Sequence, residues 1–117
     1  MSSQQTTADP NALKFGEPQF AYVVVRVGVR DPQGVEAYLK QLRPILSRFG
    51  GDLLLQCRPV ALLLEGMDAN RMLAIVRFKS TSDARRWFES EDYKEAKQLF
   101  RNSADVSMAL FEGIYGF

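Results

Sequence analysis

Two arginines and three aromatic residues are the side chains whose type and placement point to chemistry. Arg26 and Arg77 each interrupt an apolar run, Phe20-Ala-Tyr-Val-Val-Val-Arg-Val-Gly-Val29 and Arg71-Met-Leu-Ala-Ile-Val-Arg-Phe-Lys79. A buried guanidinium needs a partner, because an unpaired charge out of water is costly. That partner is either a carboxylate, with Glu65 and Glu112 as candidates, or an anionic ligand. Tyr38, Trp87 and Tyr93 bring hydroxyl and indole tips onto otherwise apolar helix faces. They either line a pocket and hydrogen-bond a small ligand, or are core aromatics with satisfied polar atoms. Glu65, Asp68 and Glu112 fall at strand ends, where carboxylates can serve as acid and base; ion pairing or solvation explains them equally. No catalytic residue is assigned.

The chain contains no histidine. That removes His-based triads, His-ligated haem and two-His metal sites. The single cysteine, Cys57, allows no internal disulfide and reads as a small core residue. No GxGxxG and no phosphate loop occurs. No cofactor and no metal are expected. The net charge of +1 gives no electrostatic case for nucleic acid or acidic lipid. No stretch reaches the ~20 apolar residues of a membrane span, and the N-terminus lacks the basic start and apolar run of a secretory signal. A reducing, cytoplasmic location is the expectation.

The elements that must position these residues follow from pattern. With 117 residues, one domain is expected: a polar, flexible arm over 1–19 and a folded unit over 20–117. Phe20 to Val29 is a strand rich in β-branched residues. Asp31-Pro32 opens a helix, with aspartate as cap and proline in the first turn. Val35, Tyr38, Leu39, Leu42, Ile45, Leu46 and Phe49 mark its inward face. Pro44 should kink it or break a backbone bond, and Gly50-Gly51 should end it. Residues 52–65 are extended with a break at Arg58-Pro59. Residues 71–79 form a third strand, expected to pair as a hairpin with 60–65 after a turn over 66–70. Ser80 to Asp83 resembles a capping box, and Ser90-Glu91-Asp92 restarts a helical turn. Residues 105–113 give the last strand.

The order is β-α-β-β-α-β, a ferredoxin-like α+β fold: a four-stranded antiparallel sheet with two helices on one face. Alternation puts Ala21, Val23, Val25 and Val27 on one face and Tyr22, Val24 and Arg26 on the other; Leu73, Ile75 and Arg77 share one face of the third strand. Neither face is cleanly polar, yet helices can cover only one. A second copy of the chain is the expected cover, giving a homodimer; the N-terminal arm folding back is the alternative.

These residues, in their order, resemble a family. The pattern is Asp31-Pro32, Tyr38, Pro44, Phe49-Gly50-Gly51, Arg58, Glu65-Gly66, Arg71, Val76-Arg77-Phe78, Ser80, Ala84, Trp87, Ser90, Tyr93, Arg101 and Glu112-Gly113. It is similar to the domain-of-unknown-function family numbered 1330, within the dimeric α+β barrel superfamily, over about residues 20 to 114. The resemblance implies two sheets packed face to face as a dimeric α+β barrel, and it supplies no reaction. The third strand of such proteins often carries Glu where Arg77 stands. The superfamily includes cofactor-free monooxygenases, isomerases and dehalogenases. Two functions remain open. One is a small-molecule site binding or transforming a compact anionic or aromatic compound, with Arg26 or Arg77 holding an anion while a tyrosine or strand-end carboxylate moves a proton. The other is a non-enzymatic dimer, a sensor or assembly module.

Overall fold

A computed structural model describes residues 18–58 and 71–114. The strands are β1 (Pro18–Val29), β2 (Asp52–Cys57), β3 (Met72–Phe78) and β4 (Ala104–Ile114). They form one antiparallel sheet in the order β2-β3-β1-β4. The helices are α1 (Pro32–Arg48), α2 (Thr81–Glu89) and α3 (Glu91–Ser103). The fold is therefore ferredoxin-like α+β, with the second crossover divided into two helices. None of the described helices is long and apolar enough to cross a membrane.

The alternation read from β1 is kept. Ala21, Val23, Val25 and Val27 are buried beneath the helices with Val76 and Phe78 of β3. Tyr38, Leu42, Ile45 and Leu46 of α1, Ala84 and Trp87 of α2, and Tyr93, Ala96 and Phe100 of α3 close over them. Filling this space removes apolar area from water, worth roughly 25 cal/mol per Å2. The other sheet face carries Tyr22, Val24, Ile75 and Phe111, and no described helix covers it.

Pro44 lies inside a helix that runs on to Arg48 and forgoes one backbone bond, the second of its two expected effects; the apolar stripe on the sheet outweighs that bond. Two expectations are corrected. Asp31 holds the N-cap position, but its side chain makes no capping bond. The partner of β3 is β2, from Asp52 opposite Arg77 to Cys57 opposite Leu73. With β1 on its other side, both edges of β3 are occupied over that span, and residues 60–65 lie outside the described residues. The ladder irregularity falls at Leu54, between Leu53 and Leu55. The N-terminal arm through residue 17, Glu65, Asp68 and the 66–70 turn lie outside the described residues.

Gly50 ends α1 as expected. Its φ of +75° is a left-handed conformation that glycine adopts without penalty. Its amide donates to Ser47 O and that of Gly51 to Leu46 O, satisfying carbonyls the helix leaves open.

Candidate functional site

The helix–sheet interface holds three of the five residues singled out for chemistry. Tyr38 comes from α1, Trp87 from α2 and Tyr93 from α3, all buried. The joint between α2 and α3 fixes the last two. Ser90 Oγ donates to Trp87 O at 2.8 Å and accepts from Tyr93 N at 3.1 Å. One serine thus closes one helix and opens the next, and it brings the indole and phenol rings to a centroid separation of 4.3 Å. Tyr38 stacks on Phe100 at 3.9 Å.

The Tyr38 and Tyr93 hydroxyls are 2.7 Å apart. One donates to the other, so only one of their two hydrogens is used. The remaining hydrogen has no acceptor among the described residues. Burial pushes both hydroxyls up: Tyr38 further, with its partner phenol adding to the rise, and Tyr93 to about 12, the bond from Tyr38 and the charge of Arg101 opposing. The pair stays protonated at neutral pH and offers a hydrogen rather than a base.

Trp87 Nε1 is also buried and has no acceptor among the described residues. An unpaired buried donor costs about 1–3 kcal/mol. Trp87 forms part of the wall of a cavity of about 170 Å3 between α2 and the sheet, with Val23, Phe88, Met108 and Leu110 as apolar lining and Arg85 and Glu89 as charged members.

Arg26 and Arg77 are elsewhere. Their register partners put both on the open sheet face: Arg26 lies opposite Leu73, and Arg77 opposite Tyr22. The sheet separates them from Tyr38, Trp87 and Tyr93, so one ligand within one subunit cannot use both groups. Arg77 pairs with Asp52 at 3.4 Å and lies 4.8 Å over the Phe20 ring. Glu112, the expected partner, sits opposite Ala21 and hence on the helix side. Among the described residues no three of His, Cys, Asp and Glu come together as a metal site. Met108, which the sequence reading left as a strand residue, joins the cavity through the inward parity it shares with Val106.

The family model for a domain of unknown function, DUF1330, matches residues 20–114. The chain belongs to the DUF1330 family. No curated protein matches it. Solved structures share the fold of this DUF1330 chain at low identity. A protein of unknown function from Rhodopseudomonas palustris is 17% identical, with 95% of this chain and 90% of that one covered and a TM-score of 0.69. SnoaB, a cofactor-independent oxygenase from Streptomyces nogalater, is 18% identical over 80% of this chain and 91% of its own, with a TM-score of 0.59. A candidate antibiotic biosynthesis monooxygenase from Nitrosomonas europaea is 17% identical over 88% and 97%, with a TM-score of 0.56. These likenesses establish the ferredoxin-like α+β fold for the DUF1330 subunit.

Proposed function

We propose that this protein binds a small aromatic molecule carrying a hydrogen-bond acceptor in the cavity beside Trp87, without a cofactor. The observation that carries the reading is a buried indole N–H without an acceptor among the described residues, on a tryptophan whose ring lines an apolar cavity. Water is a poor occupant there, since a buried water needs two to four polar partners. A ring that fills the apolar wall and presents one carbonyl or carboxylate oxygen satisfies both requirements. The free hydroxyl hydrogen of the Tyr38–Tyr93 pair is a second donor in the same layer. Structural likeness to a cofactor-independent oxygenase supports a reading without a cofactor, as analogy of fold only.

The open sheet face supports a homodimer. Phe111 and Leu55 on that face are 54% and 39% exposed, beside Tyr22, Val24 and Ile75. Packing two such faces at roughly 10 Å buries the patch. A dimer without catalysis, acting as a sensor, would use the same cavity.

The chain has one tryptophan, so its spectrum contains one indole N–H resonance. Titration of labelled protein with acetophenone is expected to move that resonance downfield, whereas ethylbenzene, which lacks an acceptor, leaves it in place. An indole peak unmoved by millimolar acetophenone removes the proposal.

A further inference from the structure

We infer that a second cavity, between α3 and β4, is an anion subsite in which Lys97 and Arg101 hold the carboxylate of an aromatic acid; this rests on the aromatic-binding reading above. The cavity has a volume of about 140 Å3 and is lined by Phe88, Lys97, Phe100, Arg101, Val106 and Met108. Phe88 and Met108 also line the cavity beside Trp87, which places the two side by side. A ring against Trp87 can therefore carry its acid group toward the two cations.

The charge pattern of α3 is the main argument. Lys94, Lys97 and Arg101 follow one another at steps of three and four, so they stack on one side of the helix. The helical neighbours of Lys97 at those steps are Tyr93, Lys94, Phe100 and Arg101; those of Arg101 within α3 are Lys97 and Gln98. No acid relieves the repulsion between them. Five arginines, Arg30, Arg48, Arg77, Arg85 and Arg86, each lie within 4.0 Å of a carboxylate, whereas Lys40, Arg43, Lys79 and Lys94 do not among the described residues. Neither Lys97 nor Arg101 has an ion pair among the described residues. Arg101 in the last turn suits the negative end of α3, but Lys97, a full turn earlier, gains little from it. Lys97 Nζ instead lies 4.0 Å from the centre of the Phe88 ring and 5.8 Å from that of Tyr93, held over aromatic surface at the cavity. An ammonium and a guanidinium at one cavity of mixed lining, without a counter-charge among the described residues, match a carboxylate.

The test compares 2-naphthoate with 2-naphthamide, equal in shape and unequal in charge, by titrating the labelled full chain. Wild type is expected to bind the acid about tenfold more tightly, as one charge-assisted contact provides. Lys97→Met with Arg101→Met should bring the two affinities within about twofold, while Arg43→Gln on exposed α1 keeps the tenfold preference. Amide dispersion confirms that each variant is folded, and Lys97→Gln alone should lose part of the preference if the double variant is not. Equal affinities in wild type, or a preference that survives the double substitution, overturns the anion subsite. If the two ligands bind equally and still move the Trp87 resonance, the aromatic site stands and this inference falls. If the acid is preferred through Lys97 and Arg101 but the indole does not respond, the subsite stands and the Trp87 reading falls. If neither ligand binds, both fall.

Discussion

Substituting Tyr38 and Tyr93 by phenylalanine, singly and together, gives an unusual order of stabilities. Either single change leaves one buried hydroxyl with neither donor nor acceptor, because the two oxygens are each other's partner at 2.7 Å. A buried polar group orphaned in this way costs about 1–3 kcal/mol, whereas replacing both partners by apolar groups of the same shape is close to neutral. The rings are kept, so Tyr38 stacking on Phe100 and Tyr93 packing on Trp87 are unchanged. Wild type already carries one hydroxyl hydrogen without an acceptor, and the double variant removes it. The expected order is therefore both single variants below wild type by about 1–2 kcal/mol, and the double variant above either single. Urea unfolding followed by Trp87 emission reads this as midpoint losses of roughly 0.5–1 M for the singles, with a slope of about 2 kcal/mol per M. Additive losses, with the double variant lowest, would refute the argument. The pH dependence gives an independent check. Tyr93 is raised from 10.0 to about 12 in the folded chain, and Tyr38 is raised further. The unfolded chain therefore loses these protons first, so stability is intact below pH 10 and falls as pH rises from 10 toward 12. The double variant should lose less stability over that window than wild type.

Other outcomes follow from single contacts. Arg77→Met should change stability by less than about 1 kcal/mol, because its pairing with Asp52 is solvent-exposed. Arg77→Glu should cost more, placing an acid beside Asp52 and removing the cation over Phe20; melting temperatures in the reverse order would contradict the assignment of Asp52 as its partner. Light scattering of wild type should give twice 13.2 kDa, and Ile75→Asp on the open face should give a folded 13.2 kDa species or aggregates. A folded wild-type monomer would rule out the dimer. Gly51→Ala would place its Cβ 2.7 Å from the buried Phe78 ring and should cost about 1–3 kcal/mol. Gly50→Ala meets open space and only a left-handed backbone, about 1 kcal/mol; thermal melts showing Gly50→Ala as the worse of the two would reverse this account.

Local signals were read well because each has a short-range cause. Alternation in β1, the Gly50-Gly51 stop and the serines at 80 and 90 all act within a few residues, and all three appear in the structure. Pairing of β3 was misread because DLLLQC and VALLLE are alike in apolar composition, and composition does not say which lies beside it. The arginines were joined to the tyrosines in one mechanism although alternation already put Arg26 opposite in sense to Val25. What failed there was carrying a local parity through to a three-dimensional site. The orphaned Trp87 N–H is a product of packing and has no sequence signal. The Lys97 and Arg101 pair does have one, two cations at helical spacing with no acid three or four residues from either within the helix.

The irregularity at Leu54 works as a frameshift. Up to Leu53 the strand keeps one reading of inside and outside, with Leu53 beside Val76 on the helix side. The extra residue moves the phase by one. Gln56 then falls on the helix side opposite Ala74, while Leu55 and Cys57 fall on the open face opposite Ile75 and Leu73. Were Leu54 paired in regular alternation instead of bulged, Leu55 and Cys57 would point inward and Gln56 outward. The present phase takes apolar side chains away from the subunit's own core and puts them on the face that no described helix covers. Removing one codon at this position would thus straighten the strand and leave Leu55 and Cys57 on the open face, whereas adding one after it without a second bulge would turn them inward.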